Sequence, residues 1–521
     1  MHIIMFITKN LNKPINLYYL VIVLSTKSPT VTLIAVALIA LIVGVVIGYM
    51  IPKAPTGEVV PKSEYDKVLA ENEQLRSKVE ELQKKLEAMG AKEITIVIWT
   101  IGPDPPSEYR YKNFEIAAEV LNKWLTLMGS NVKVKVEGEF FVRPVEWKEY
   151  KNKFYMAAKA GKAPDIYLTG HEDIGFLADN NYIIPLDDYI QEYWDVVYYD
   201  VIPTLWKAVE YKGHKWAVPQ DTEVRPLYFR KDILRQLGWS EEEIEALPKK
   251  VQNGEFTLED LLELAKQAKD AGLVERGLVH RVKEGYDYFQ FYLGFGGRLW
   301  DPAQGKMVFT KSAWKKTLEW FYRAVYEYEV ISPTQFSGDW DKDFHGPFTQ
   351  GKTLFLSGGS WHKGEWISKG LLTEESFKEN VGFALHPAGE AGLKPVTLSH
   401  PLIYTITKQA ADRGVADVAF MLITLVTDPH LNANHAVASS HLAILYSEIL
   451  DSRYTQDWFL KDVAYMLDYT TFIPNHPNWG DYSRVVYESI KAVEGGESPE
   501  DAYNYMLSEI QKLGDVFIIE D

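Results

Sequence analysis

Between Ala163 and Ile190 the chain reads APDIYLTGHEDIGFLADNNYIIPLDDYI. Ile166 to Leu168 is a short apolar run of the kind that forms a buried strand. It stops at Thr169-Gly170, and His171, Glu172 and Asp173 follow at once, before a helical pattern begins. An imidazole and two carboxylates at the tip of such a strand suit a binding cleft better than a core. Capping of the next helix explains Asp173 about as well, and His171 and Glu172 less well. Elsewhere the chain carries no HExxH, GxxxxGK[ST], GxSxG or EF-hand loop. GFGGR, Gly294 to Arg298, lacks the GxGxxG spacing and a following helix, and reads as a turn. His430, His435 and His441 are spaced by five and six, which does not put them on one helical face, so no metal site is expected there and no cofactor is implied. Carboxylates are plentiful enough for a glycosidase pair, but nothing in their spacing selects two.

The elements that must position the cluster follow an α/β rhythm. EITIVIWT, from Glu93, is a run rich in β-branched residues, followed by a loop with three prolines, IGPDPPSEYRYKN. Phe114, Ala117, Ala118, Leu121, Trp124, Leu125 and Met128 recur at helical spacing and end at Gly129. Val132, Val134 and Val136 alternate as a second strand, and a helix over roughly Glu146 to Ala160 ends at Gly161. Strand, helix, strand, helix predicts a mostly parallel sheet covered on both faces, with ligands bound beyond the carboxyl ends of its strands.

Composition sets outer bounds. The chain has 521 residues, enough for several domains; 46% are hydrophobic and 24% charged, which fits sizeable cores rather than disorder. A formal charge of −17 argues against nucleic acid as the main partner. Cysteine is absent, which removes disulfides, zinc-thiolate sites and thiol catalysis. The 15 Trp and 31 Tyr are the outlier, and such rings line pockets for flat, partly apolar ligands as well as cores.

Val31 to Ile51, VTLIAVALIALIVGVVIGYMI, carries no charge. It is long enough to span about 30 Å as a helix, the thickness of a bilayer's hydrocarbon core. A cleavable signal peptide is the competing reading, but no small-x-small site follows Ile51, so an uncleaved anchor is expected over 31–52. Residues 1–30 fit this poorly, and the true start is placed nearer Val21 to Ser28. A linker and stalk are expected over 53–90. Tyr65, Asn72, Val79 and Leu86 fall at heptad position a, and Val68, Leu75, Leu82 and Met89 at d. Asn72 at a and the Gly44/Gly48 pair in the apolar run fit a parallel homodimer; a single helix is the alternative.

From about Glu93 onward the chain resembles the family 1 extracellular solute-binding proteins of ABC transporters, of the maltodextrin-binding type. AGKAPDIYLTGHEDIGFLADNNYIIPLDDYI resembles the family's A-x-G-x-x-PD segment with its polar tip. LWKAVEYKGHKWAVPQDTEVRPLYFRKDILRQLG, FTLEDLLELAKQAKDAG, FTQGKTLFLSGGSW, DPHLNANHAVASSHLAIL and the closing IPNHPNWGDYSRVVYESIKAVEGGESPEDAYNYM resemble later landmarks in the expected order. Phe229-Arg230-Lys231-Asp232 stands where Tyr-Asn-Lys-Asp is usual, Leu258 replaces a frequent Trp, and a proline usual after the fifth landmark is missing.

The resemblance implies a periplasmic-binding-protein type II fold. Lobe I is expected over 91–221 and 400–445, and lobe II over 222–399 and 446–521. The crossings are expected near Pro219 to Thr222, Ser399 to Pro401 and Leu442 to Tyr446. It also implies ligand contacts from Asp104, His171, Glu172, Glu223, Arg225, Trp361, Trp479 and Tyr482. For Trp361 and Trp479 core packing is the alternative, and for Arg225 an ion pair with Glu223. The function implied is an extracellular, membrane-anchored, non-enzymatic receptor that passes a saccharide to permease subunits with a cytoplasmic ATPase. A peptide or polyamine receptor and a cell-surface glycan hydrolase are the alternatives.

Overall fold

Ile94, Ile96 and Ile98 point to one face of β1 (Lys92–Gly102) and are buried, while the residues between them are partly covered. The structure, a computed structural model, describes residues 92–521 together with a few isolated positions between 62 and 77. The apolar run 31–51, residues 1–30 and the a and d positions of the stalk lie outside the described residues. Among the described residues no helix is long and apolar enough to cross a membrane.

After β1 comes α1 (Tyr109–Leu127), which buries Phe114, Ala117, Ala118, Leu121 and Leu125 on one face. It ends where Gly129 takes φ 70°, a conformation that costs glycine little. β2 (Val132–Val142), α2 (Trp147–Lys159) and β3 (Ile166–Gly170) follow. β3 is buried along its whole length, and its carboxyl end runs into a short 3-10 turn, His171–Asp173. β4 (Val218–Pro219) ends the first stretch.

The chain then builds a second sheet from β5 (Leu227–Arg230), β6 (Arg276–Val279), β7 (Thr353–Ser357) and β8 (Val381–Ala384), with α3 (Trp361–Ser368) leaving the end of β7. It returns through β9 (Thr397–Ser399) to β10 (Leu402–Ile406), α4 (Ala416–Val426) and α5 (Pro429–Ser439). It finishes with β11 (Thr470–Phe472), α6 (Trp479–Glu494), a last helix Pro499–Lys512 and a short strand Phe517–Glu520.

The first sheet has the order β2-β1-β3-β10-β4 and the second β8-β5-β7-β6. β1 is parallel to β2 and β3, and β10 is antiparallel to β3 with Leu402 opposite Gly170. Two separate hydrophobic cores result. One takes its residues from 94–218, 402–426 and 444–445; the other from 224–398, 436–443 and 454–517.

The passages between the cores are bonded to one another. Thr222 and Leu442 exchange backbone hydrogen bonds, and the Thr222 and Ser399 hydroxyls are 2.7 Å apart. Asp221 accepts from the Leu402 amide at 3.2 Å, from Arg110 at 2.6 Å and from His435 at 2.9 Å. Burial alone would raise this carboxyl; Arg110 and His441 outweigh it and hold Asp221 far below the usual carboxylate range. A single buried carboxylate thus ties the first and second passages to α1 and α5.

Candidate ligand-binding site

A cavity of about 460 Å³ lies between the two cores, within the range of small-molecule sites. Its floor is the carboxyl end of β1, Ile101 to Pro103, together with Arg110 and His441. One wall comes from α2 and the turn after β3. The other comes from the loop Arg281–Tyr286, Trp340, Trp361 and the start of α6.

Glu172 is the centre of the first wall. Its Oε1 accepts from Lys151 Nζ at 2.8 Å and from the Tyr286 hydroxyl of the opposite lobe at 2.9 Å. His400 Nε2 lies 2.5 Å from Oε2. Burial works to raise this carboxyl, but His400 and Lys151 prevail and hold Glu172 well below the usual range. Asp173 shares Lys151, yet burial is the larger effect there and its carboxyl is raised. Across the cavity Glu223 accepts from Arg225 Nε at 2.9 Å and Nη2 at 2.7 Å, and Arg225 also faces Asp287 at 3.1 Å. The Arg225 guanidinium carbon sits 5.3 Å from the centre of the Trp361 ring. On the cavity floor His441 stacks on Trp361, with ring centres 6.2 Å apart and planes inclined by 16°.

Of the eight residues named from the sequence, Glu172, Glu223, Arg225, Trp361 and Trp479 line the cavity and Asp104, His171 and Tyr482 do not. Asp104 caps the turn Pro105–Glu108, accepting from the Ser107 hydroxyl at 2.6 Å, and burial pushes its pKa up to about 6. His171 lies behind Glu172, with Nε2 at 2.9 Å from the Ile473 carbonyl. Tyr482 is one turn into α6 and accepts from Trp314 Nε1 at 2.8 Å inside the second core.

The sequence reading missed Arg143, Tyr286, His400 and His441, which sit on turns and loops without a period, and Trp340, which opens a short π-helix. It could have found Trp147, Lys151 and Tyr155. Their i, i+4, i+8 spacing on α2 puts them on one face, and all three line the cavity.

Among the described residues three groups of imidazole and carboxylate converge: His171, Glu172 and His400; Asp221, His435 and His441; His345, His362 and Glu365. His435 and His441, too far apart in sequence for one helical face, meet because the chain turns back through Ser440 at φ 56°. In each group the donors are already committed. Lys151 and Tyr286 occupy Glu172. The Arg110 guanidinium stands within 2.6 Å of Asp221 and 3.1 Å of His441 Nε2, where a metal cation would be repelled. In the third group Nδ1 of His345 accepts from Trp366 Nε1 at 2.7 Å, and Nδ1 of His362 from the Gly359 amide at 3.1 Å. With Nδ1 accepting, each ring carries its proton on Nε2, the nitrogen a metal would need.

Two α/β lobes joined by bonded passages, with a cavity between them, define a binding protein of the periplasmic two-lobe class. The chain belongs to the bacterial extracellular solute-binding protein family, whose pattern matches residues 113–429, more than half of its length. It is similar to the maltotriose-binding protein of Pyrococcus abyssi, 21% identical over 353 residues, 66% of this chain and 69% of that one. Among solved structures it is similar to maltose-bound MalE3 of T. maritima, with TM-score 0.64 and 18% identity over 80% of this chain and 99% of that one. It also resembles the GacH receptor of Streptomyces glaucescens, solved without ligand and with acarbose, with TM-score 0.63 and 18% identity over 82% and 100%. The family consists of solute-binding receptors and not enzymes, which sets aside the hydrolase alternative.

Proposed function

We propose that the protein is the extracellular receptor of an ABC importer, that it closes its lobes on an uncharged saccharide, and that it delivers this cargo to membrane permease subunits driven by a cytoplasmic ATPase. One observation carries the choice of cargo. Every Asp, Glu, Lys and Arg lining the cavity has an opposite charge within 4 Å inside the protein. Lys151 pairs with Glu172, Arg225 with Glu223, Arg281 with Asp287, Lys283 with Glu146, Lys148 with Glu284, Arg110 with Asp221, Arg143 with Glu365 and Asp481 with Arg484. A polyamine or a peptide terminus needs a charge that is still free, and among the described residues this wall offers none. It offers rings instead, among them Trp147, Tyr286, Trp340 and Trp361, whose faces suit the C–H faces of sugar rings. What the related proteins bind, maltotriose, maltose and acarbose, agrees with this reading.

The apolar run 31–51 would anchor the receptor with its lobes outside the cell, and the heptads would hold them off the surface as a parallel pair. The test uses the full chain in a detergent without a sugar headgroup. Its melting temperature is followed against maltose, maltotriose and longer glucans, with spermidine and a peptide mixture as controls. A ligand at 100 times its Kd stabilises by about 2.7 kcal/mol. A shift with glucans alone is the expected result. A shift only with spermidine or peptide would overturn the cargo, and slow disappearance of a bound glycan would overturn the receptor.

A further inference from the structure

The two lobes meet at ion pairs set in different surroundings. Lys283–Glu146 at 2.6 Å and Lys148–Glu284 at 3.8 Å lie on the rim with both partners well exposed, and water competes with such pairs. Arg143 is different. It leaves the end of β2 on the first lobe, and its Nη1 reaches Oε1 of Glu365 on α3 of the second lobe at 2.9 Å. Glu365 is fully buried, and the Arg143 guanidinium carbon also lies 4.4 Å from the centre of the Trp340 ring. On its own lobe Glu365 has His345 Nε2 at 3.3 Å and Lys369 Nζ at 2.8 Å, and that lysine is shared with Asp341 at 2.7 Å.

We infer that the Arg143–Glu365 pair is the closure lock of this receptor. Arg143 is a positioning residue that sets how much of the protein is closed, and Glu365 is the anchor it closes onto. Parting the lobes draws Arg143 off both Glu365 and the Trp340 face. It leaves a buried carboxylate with only a shared lysine and an imidazole, a costly state in a low-dielectric interior. Closure restores a charge-assisted bond and a cation–π contact together. Burial opposes ionisation of Glu365, but His345 and Arg143 hold it well below the usual carboxylate range. The lock therefore stays charged throughout the neutral range. Glu365 does not line the cavity but Arg143 does, so the distance between the lobes, and not affinity, is the reading that isolates the lock.

The inference rests on the proposed receptor function, but it can be tested without any ligand. The chain has no cysteine, so Met156→Cys on α2 with Lys342→Cys in the turn Trp340–His345, both exposed, places one spin label on each lobe. In the full chain without sugar, R143Q and E365Q are each expected to shift the inter-label distance from a short to a longer population. Arg143→Lys, which keeps charge but loses the fork and the ring contact, should fall between. If the closed fraction drops to about a tenth, the Kd for maltotriose rises about tenfold, mostly through faster dissociation. The double variant should be no worse than either single one. Arg143 is partly exposed, so R143Q remains informative even if E365Q does not fold. Unchanged distances in R143Q would overturn the lock whether or not maltotriose binds, as would weaker binding in R143Q with an unchanged distance.

Discussion

His171 shows how a residue beside a binding site can serve the frame that holds it. Its ring is fully buried, with the Pro401 carbonyl 3.3 Å from Nδ1 and the Ile473 carbonyl 2.9 Å from Nε2. Burial, and after it the like charge of His400, brings its pKa down to about 4. In the unfolded chain it titrates near 6.5, so between these values the unfolded state binds a proton that the native state refuses. Stability from this group is complete above pH 6.5 and falls as pH drops towards 4, by about 3 kcal/mol at pH 4. Denaturant unfolding of wild type and His171→Asn across this range should show the variant losing less than wild type by about that amount. Parallel curves would show that the ring does not stay neutral.

The polar tip at 171–173 was visible in the sequence because a buried run ends abruptly there. Which of its side chains turns into the cavity was not, since that depends on Lys151, Tyr286 and His400 arriving from three other segments. Arg225 shows the same limit. Its pairing with Glu223 could be read from their spacing, but its second partner, Asp287, could not.

At the scale of elements, periodic segments were legible and bridging ones were not. α1 and β1 follow their apolar spacing closely, with glycine at the helix end. The segment between β11 and α6 has no period, and its role comes from where it lies. The Asn475 amide donates to the Ala208 and Glu210 carbonyls at 2.6 and 3.1 Å, and the Ile473 carbonyl meets His171. These residues sit between two elements of the second core yet lean on the first lobe. They fit only because Gly175 has no side chain. A Cβ there would come within 2.9 Å of the Asn475 carbonyl oxygen and 3.0 Å of Pro477. Gly175→Ala should therefore push this segment off the first lobe and cost about 1–3 kcal/mol in urea unfolding. A neutral substitution would mean that the segment can shift freely and does not brace the lobes.

For the whole molecule, the two-lobe class was legible because six landmarks keep their order along the chain, although each is weak alone. The cavity and its internal neutralisation were not, because they depend on pairs such as Arg143–Glu365 that join residues far apart in sequence. The proposed heptad pairing belongs to this scale too. Met89, its last heptad position, precedes β1 by only two residues, so paired stalks would hold two receptors side by side. The full chain is expected to sediment as a dimer, and Leu75→Glu with Leu82→Glu to give a monomer with unchanged maltotriose affinity. A monomeric wild type would leave the heptads as a single-helix spacer.

The place of β10 in the first sheet has a temporal side. It lies between β3 and β4, yet the whole second sheet is encoded before it. As the chain leaves the ribosome, β3 and β4 emerge early and then wait, each lacking its shared neighbour, while β5 to β8 are made. Until β10 arrives, the nascent chain carries an open strand edge, the kind of surface on which mispairing and aggregation start. The first lobe can be finished only after most of the second has appeared.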